Sequence, residues 1–342
     1  MMIFEPNENL KKVVEKISVP SLKGKSIQCN FPNRIHITPI DCNRFNYGKP
    51  GGGGIGFALK ANNYLKIQLA SETEFAGDEK VKPVALRALY AMSHNLGFAD
   101  EFKITVNQSQ EVKAHIGLGS NACLLTAICS SINELYDSPL SKRELMQIIG
   151  ANFVEEYNGK CVLGLDTGVA PATSLYGGCC LVSEESVVVW QNDFDFIPKA
   201  LLVFPNTARA SFEGAEDDVM LKRSFYEDLK SRGNISYEIL MDLIPAIVNK
   251  DLHKIGDVIW NIQFSGTHLS MIQGYEDYGA KIYGLFGKIK SLGAEIVGLS
   301  SVGPCIFVIS KNMQSILEYL QSENIENMLC DIQTKPIEFI FD

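Results

Sequence analysis

The segment HIGLGSNACLLTAI, residues 115–128, has the composition of a loop that holds an anion at the start of a helix. Gly117 and Gly119 permit backbone conformations that a Cβ atom would forbid, so an anion can approach the main chain closely. The apolar run after Ser120 repeats at helical spacing, which predicts a helix over residues 120–136. The first turn of such a helix offers unpaired N–H groups and the positive end of the helix dipole. Ser120 would either cap this helix or donate its hydroxyl to a phosphate or to an oxygen bound to Mg²⁺.

Two other nucleotide-binding loops do not fit this segment. A Walker A loop ends in Gly-Lys followed by Ser or Thr, and the segment contains no lysine. The dinucleotide fingerprint is formally met by Gly117, Gly119 and Ala122. It also requires an acidic residue that closes a second strand about 20 residues later. That region, DSPLSKREL, reads as a turn and the start of a helix. A glycine turn without any ligand remains an alternative to an anion site.

The composition of the chain excludes several classes of partner. Its 342 residues carry a formal net charge of −9, with 31 basic and 40 acidic side chains and no basic run, so we expect no nucleic-acid binding. We expect no membrane partner, because no stretch of about 18 apolar residues is present, and the N-terminus lacks the apolar region of a signal peptide. The nine cysteines include no CxxC pair, which favours a reduced, cytoplasmic protein without a cysteine metal site.

Hydrophobic patterning predicts strands and helices that do not alternate strictly, so we expect an α+β fold rather than a doubly wound sheet. Residues 27–40 read as two strands separated by a break, and the glycine run 51–54 leads into further β-like segments. Ser141 and Glu144 form a predicted capping box. The strand KALLVFPN places a domain boundary after residue 197. The other predicted elements are a helix over 82–97, a strand in FKITVNQSQEV, a hairpin spanning GGCCLVS and VSEESVVVWQ, helices near 218–232, 236–250, 254–262, 274–292 and 312–322, a strand, glycine turn and strand in AEIVGLSSVGPCIFVIS, and a final strand in KPIEFIF.

Ordered sequence blocks make the chain resemble β-ribofuranosylaminobenzene 5′-phosphate synthases, a branch of the GHMP kinase superfamily whose members do not act as kinases. The loop HIGLGS is similar to the HVGLGS-type loop of that family. It is also similar to the GLGSSA-type loop of galactokinase, homoserine kinase and mevalonate kinase. The other similar blocks are PNRIHITPID (32–41), GGGIGFAL (52–59), FPNTARASFEGAEDD (204–218) and IVGLSSVGPCIFVIS (296–310).

The resemblance implies a two-domain, GHMP-kinase-like α+β architecture. An N-terminal domain of the ribosomal S5 domain 2-like type, residues 1–197, would carry the GLGS loop. A smaller ferredoxin-like α+β domain, residues 198–342, would carry the SSVGP turn. The active site would lie in the cleft between the two domains, where ligand sites are common. The family also implies a homodimer.

The segment LDTGVAPATSLYGG, residues 165–178, discriminates between chemistries within the superfamily. A related segment of the kinases reads S-G-x-D, and its aspartate orients or deprotonates the attacking hydroxyl group. Here Thr167 and Gly168 lead to Ala170, so that carboxylate is missing. Asp166 precedes Ala170 by four residues and would have to act from the other side of the turn. The segment argues against a kinase, although a small-molecule kinase and an inactive binding or regulatory homologue remain alternatives.

What the resemblance implies is a reaction of phosphoribosyl pyrophosphate with an aromatic acid such as 4-hydroxybenzoate or 4-aminobenzoate, or with a heteroaromatic acid. Pyrophosphate and CO₂ leave and a C-riboside forms, an early step toward tetrahydromethanopterin. The glycine loop would hold the pyrophosphate, and Mg²⁺, bound with the help of Ser120, would neutralise the leaving group. The phosphate-binding residues predicted in this way are His115, Gly117, Leu118, Gly119, Ser120 and Asn121.

The same resemblance assigns roles to three residues of the block at 32–41. Asp41 would stabilise the developing ribosyl cation. Arg34 would bind the acceptor carboxylate or the 5′-phosphate through two parallel hydrogen bonds. His36, like His115, would position a phosphate oxygen or a phenol. The predicted substrate-contacting residues are Asp166, Thr167, Gly168, Ser300, Ser301 and Gly303.

Purely structural explanations compete with these roles. Arg34 would otherwise be a surface charge, and His36 a histidine on one face of a strand. Asp41 would cap a turn with the two residues that follow it. Ser300 and Ser301 would be ordinary turn residues.

The chain departs from the family at three places. Its loop continues as SNAC at 120–123 where the family has SGTQ. LGLD at 163–166 replaces a stretch that bears an arginine, and Val302 replaces the tryptophan of the SSWGP block. The last two changes remove a basic group and an aromatic wall near the substrate, so the identity of the acceptor acid stays open.

Overall fold

The structure is a computed structural model. It describes residues 2–15, 21–108, 117–206, 215–273 and 276–342, with the side chains of 215–222 and 276–277 left out. In these ranges no helix is both long enough and apolar enough to cross a membrane. The strands are β1 (Ile3–Phe4), β2 (Ser26–Pro39), β3 (Gly54–Ala70), β4 (Glu74–Ala76), β5 (Glu101–Asn107), β6 (Val154–Tyr157), β7 (Lys160–Leu163), β8 (Cys179–Val182), β9 (Val188–Asn192), β10 (Lys199–Phe204), β11 (Ile296–Leu299), β12 (Ile306–Ile309), β13 (Glu326–Asp331) and β14 (Phe339–Phe341). The helices are α1 (Lys82–Leu96), α2 (Ser120–Leu135), α3 (Lys142–Ala151), α4 (Val169–Tyr176), α5 (Ala215–Glu238), α6 (Ile244–Val248), α7 (Leu252–Gln263), α8 (Gly266–Gln273), α9 (Glu276–Ser291) and α10 (Gln314–Ser322).

The first sheet is built around a long hairpin of β2 and β3. Its main strand order is β14-β2-β3-β5-β4, and β8 pairs with both β3 and β9. The break predicted within residues 27–40 is wrong, because β2 is a single strand. Its register shifts between Phe31 and Asn33, so that Pro32 takes the unpaired position. A proline cannot donate a ladder hydrogen bond, and a bulge accommodates it without ending the strand.

Helices α1 to α4 pack with this sheet around the larger hydrophobic core. The predicted helix at 120–136 is confirmed as α2, and every residue from 122 to 133 within it is buried. The capping box of Ser141 and Glu144 is confirmed at the start of α3, and the helix predicted over 82–97 is confirmed as α1. Helix α2 is enclosed by neighbours, so its N-terminus has a fixed position.

The second sheet has the strand order β11-β12-β10-β13, and all three pairings are antiparallel. In chain order its elements are a strand, helices, two strands, a helix and a strand, which is the ferredoxin-like arrangement that the sequence predicts. The final strand, β14, leaves this unit and pairs with the edge of β2. The predicted C-terminal domain, residues 198–342, therefore contributes its last strand to the first sheet and covers an edge that would otherwise be unpaired.

Several helices and strands differ from the sequence prediction. The helices predicted near 218–232 and 236–250 form one continuous run, because α5 passes through a π-helical segment, Ile239–Leu243, directly into α6. Helix α4 was not predicted, since it is short and its small residues carry little periodicity. Strand β13 was not predicted either. All nine cysteines lie in the described ranges, are buried and are free.

A buried arginine ties the N-terminal segment to this fold. Arg87, on α1, is fully buried and donates to the main-chain carbonyls of Pro6, Glu8, Asn9 and Asn152, and to the side-chain oxygen of Asn152. Burial lowers the pKa of its guanidinium to about 10. No other donor could serve all of these oxygens at once, because only a guanidinium carries five N–H groups.

We expect the substitution Arg87→Met to lower the free energy of unfolding by about 3 kcal/mol, because it leaves several buried carbonyls without a donor. Urea denaturation followed by circular dichroism measures this loss. The exposed Arg143 on α3 provides the matched control, and Arg143→Met should change the stability by less than about 0.5 kcal/mol. Equal stability of the two variants would contradict the anchoring role of Arg87.

Candidate functional site

The GLGS loop lies directly against β2. The side chain of Arg34 donates from Nη1 to the carbonyl of Gly117 at 2.7 Å, and its main-chain N–H donates to the carbonyl of Leu118 at 3.1 Å. Gly119 has a φ of 66°, and a Cβ atom there would lie 2.9 Å from Nε of Arg34. Both the left-handed backbone and the close approach of the guanidinium therefore require glycine at this position.

The start of α2 differs from the prediction at one residue. Gly119 is the N-cap, no side chain caps the helix, and Ser120 is its first helical residue. Of the two roles predicted for Ser120, the helix cap is therefore wrong, because the left-handed Gly119 already turns the chain into the helix. Its role toward a phosphate or Mg²⁺ stays a prediction. Asn121 donates instead to the carboxylate of Glu155. His115, the remaining residue predicted to bind phosphate, lies outside the described residues.

The SSVGP turn of the second sheet closes over this loop. Ser300 is fully buried; its hydroxyl donates to the carbonyl of Gly117 at 2.7 Å and accepts from the main-chain N–H of His36 at 3.1 Å. The main-chain N–H of Ser301 donates to the carbonyl of His36 at 2.8 Å. Gly303, at a φ of 78°, follows in the same turn. The structure thus brings together the predicted residues of β2, of the loop and of the turn.

Two buried histidines sit at this junction. Nε2 of His36 has no hydrogen-bond partner among the described residues, and a Cβ atom on Gly54 would lie 2.5 Å from it. Burial, with nearby Arg34 and His268, holds the pKa of His36 well below its usual value, so the ring is neutral. His268, on α8, contacts the carbonyl of Ile37 through Nε2 at 2.7 Å, and burial lowers its pKa to about 4. Sequence reasoning missed His268, because no motif surrounds it.

Asp166 is buried near Arg34, on the approach to α4. Its side chain is 7% exposed, and Oδ2 has no hydrogen-bond partner among the described residues. Burial raises the pKa of this carboxyl to about 6, while the main-chain N–H groups of Gly168 and Thr167 and the charge of Arg34 oppose that rise. Ala170, where a kinase would carry its base, is buried in the first turn of α4.

Asp41 contacts α5 through its side chain. Its Oδ1 accepts from the main-chain and side-chain N–H groups of Asn43, and its Oδ2 accepts from Arg232 at 2.7 Å. Burial would raise the pKa of Asp41, but these hydrogen bonds and the guanidinium hold it below its usual value. Asp41 therefore caps the turn that follows it, as the structural explanation predicts. A contact joins it to the glycine run, because its main-chain N–H donates to the carbonyl of Gly52 at 3.1 Å.

The segment after Asp41 docks on the helices of the second unit. The main-chain N–H of Cys42 donates to Asp228 at 2.7 Å, and the same carboxylate accepts from Thr267 at 3.0 Å. Burial raises the pKa of Asp228. Arg232 and Asp228 escaped prediction because single charges on a long helix carry no signal in the sequence.

The arrangement suits a ligand that places an anionic group on the loop and a hydrogen-bond donor next to that group. The helix start and the guanidinium of Arg34 both favour negative charge, and Arg34 keeps an unpaired Nε among the described residues. Burial lowers the pKa of Arg34, against the effect of Cys123, Asp166 and Glu155, and the group stays charged. Among the described residues no cluster of three or more His, Cys, Asp or Glu side chains could hold a metal by itself.

Known proteins resemble this chain in sequence and in fold. Residues 83–178 match the family model described as the GHMP kinases N terminal domain. A β-ribofuranosylphenol 5′-phosphate synthase of Archaeoglobus fulgidus is 27% identical over 305 residues, which cover 83% of this chain and 88% of that protein. The synthase of the same name from Methanothermobacter thermautotrophicus is 24% identical over 297 residues, or 82% of this chain and 88% of that protein.

Solved structures show the fold alone, because their sequence identity is low. Mevalonate diphosphate decarboxylase from Staphylococcus aureus superposes with a TM-score of 0.65 at 16% identity, over 92% of this chain and 98% of that chain. Homoserine kinase from Cytophaga hutchinsonii superposes with a TM-score of 0.60 at 15% identity, over 96% of this chain and 100% of that chain. The chain thus has a GHMP-kinase-like fold, its residues 83–178 match the N-terminal domain of the GHMP kinases, and over most of its length its sequence resembles the β-ribofuranosylphenol 5′-phosphate synthases.

Proposed function

We propose that the protein transfers a ribosyl 5-phosphate group from phosphoribosyl pyrophosphate to an aromatic acid of the 4-hydroxybenzoate or 4-aminobenzoate type, or to a heteroaromatic acid, with loss of CO₂. The observation that carries the proposal is the hydrogen bond by which Arg34 holds the GLGS loop, in a chain whose α4 has Ala170 where a kinase needs a carboxylate. The sequence similarity to two archaeal synthases supports the same reaction class.

The loop would bind the pyrophosphate group of the substrate. The first turn of α2 has no side-chain cap, so its N–H groups can donate to phosphate oxygens. Arg34 adds a positive charge that is held in place by its hydrogen bond to Gly117. Because the residue is half-buried, the attraction of its charge for an anion is screened less than at a surface.

The reaction breaks one bond to ribose and forms another at the same carbon. The bond between C1 and the pyrophosphate oxygen breaks with both electrons on the pyrophosphate. The ring carbon that carries the carboxylate then attacks C1, and CO₂ leaves as its bonding electrons restore the aromatic ring. Asp41 stays ionised, since its pKa is held low, and can supply negative charge to the ribosyl cation. His36 is neutral and can accept or donate one hydrogen bond at the substrate.

The proposal includes Mg²⁺, which proteins bind through one or two carboxylates together with substrate phosphates. Ser120 is the first residue of α2, so its hydroxyl group would help to hold the ion at the start of the helix. When bound, the ion would neutralise charge on the leaving pyrophosphate.

One observation favours a second candidate function, an ATP-dependent small-molecule kinase. Asp166 is a buried carboxyl near the loop, and its raised pKa of about 6 suits a general base. Homoserine kinase of Buchnera aphidicola is 27% identical over 66% of this chain. In this alternative Asp166 would replace the carboxylate that is missing at Ala170.

An activity assay separates the two functions. Purified protein, phosphoribosyl pyrophosphate, Mg²⁺ and a panel of aromatic acids should release pyrophosphate and CO₂ in equal amounts, and a chelator should abolish the release. Omission of the acid is the control for hydrolysis. Release of ADP from ATP with a small alcohol, and none of pyrophosphate, would contradict the transferase and support the kinase.

The substitution Ser300→Ala should raise the KM for phosphoribosyl pyrophosphate about tenfold, with a smaller effect on kcat. It removes a donor from Gly117 and leaves the buried N–H of His36 without its acceptor, which loosens the loop. Steady-state kinetics measure the change. Ser291→Ala is the control, because that exposed hydroxyl donates only within its own helix. An unchanged KM in the Ser300 variant would exclude the coupling of turn and loop.

A further inference from the structure

Asp166 is held rigidly in a position that leaves one of its oxygens unused. Its main-chain carbonyl accepts from the N–H of Gly51 at 3.1 Å, which fixes the backbone on the glycine run. The N–H groups of Gly168 and Thr167 interact with the carboxylate. Oδ2, however, has no partner among the described residues although the side chain is 7% exposed. A buried carboxylate oxygen without a donor is costly, so a bound ligand that supplies one gains affinity.

Arg34 also has a polar atom without a hydrogen-bond partner among the described residues. Its charge is near enough to act on the pKa of Asp166, and the carboxylate acts in turn on the pKa of Arg34. Nη1 is engaged with Gly117, whereas Nε is buried and unpaired among the described residues. The two opposite charges therefore do not satisfy each other. One unpaired acceptor and one unpaired donor therefore remain on two residues whose charges act on each other.

We propose that Asp166 is a substrate-specificity residue: its Oδ2 accepts a hydrogen bond from a hydroxyl or amine of a substrate whose anionic part lies against Arg34 and the GLGS loop. The inference rests on the proposed function and deepens it. A sugar phosphate with a hydroxyl beside its anionic group has this chemistry, and so does an aromatic acid with a hydroxyl or amino group. The carboxyl, with a pKa of about 6, is mainly ionised at neutral pH and is then an acceptor only.

Calorimetric binding to the full-length protein tests this inference with two pairs of probes. Ribose 5-phosphate is compared with 2-deoxyribose 5-phosphate, and 4-hydroxybenzoate is compared with benzoate. In the unmodified protein the probe that has the donor should bind about tenfold more tightly in one of the pairs, as expected for a hydrogen bond to a charged acceptor. The pair that shows the preference identifies the substrate that Asp166 contacts.

The variant Asp166→Asn should reduce that preference to less than about twofold, since it exchanges an acceptor oxygen for a donor of similar size. Asp257→Asn, at an exposed position on α7, is the matched control and should leave the preference unchanged. If the asparagine variant does not fold, Asp166→Ser replaces it, because serine can still accept from the N–H groups that follow. The inference is overturned if neither pair shows a preference, or if the preference survives the substitution.

The binding and turnover measurements distinguish a failure of the inference about Asp166 from a failure of the proposed transferase. If no acid is turned over but the preference disappears in the Asp166 variant, the proposed transferase is wrong and the role of Asp166 stands. If an acid is turned over and the preference persists in the variant, the transferase stands and Asp166 has only a structural role.

Discussion

The rest of the site depends on the hydrogen bonds that the carbonyl oxygen of Gly117 accepts. It accepts from the guanidinium of Arg34 and from the hydroxyl of Ser300, each at 2.7 Å. One atom of the loop is thus joined to a strand of the first sheet and to a turn of the second. A Cβ atom at residue 117 would lie 2.3 Å from the carbonyl of Ser300, so only glycine allows the approach. The position of the second unit relative to the helix start follows from this junction.

Burial controls the electrostatics of the junction. The charge of Arg34 acts on the pKa of both His36 and Asp166, and burial keeps His36 and His268 neutral because it penalises their charged forms. The result is one guanidinium, one carboxyl of raised pKa and neutral rings around a helix start. These groups favour a ligand that has an anionic group and a hydrogen-bond donor, because the unpaired atoms of Arg34 and Asp166 would then both have a partner.

The superfamily fold is compatible with both transfer of a phosphoryl group and loss of pyrophosphate, so the fold does not decide between them. The difference lies in a few side chains at the approach to α4. Ala170 is buried in its first turn. Asp166 lies before the helix and beside Arg34 instead. The buried carboxylate near Arg34 therefore belongs to the segment before α4 and not to its first turn.

The sequence by itself determined the α+β class, the helix after the GLGS loop and the capping box of α3. These features follow from local periodicity and from glycine and capping residues, which act over a few positions. It did not reveal that β2 is one strand through Pro32, that β14 returns to the first sheet, or that Asp41 pairs with Arg232. Those features join residues far apart in the chain. The unpaired oxygen of Asp166 could not be predicted for the same reason, because segments that are far apart in the sequence bury it only after the chain has folded.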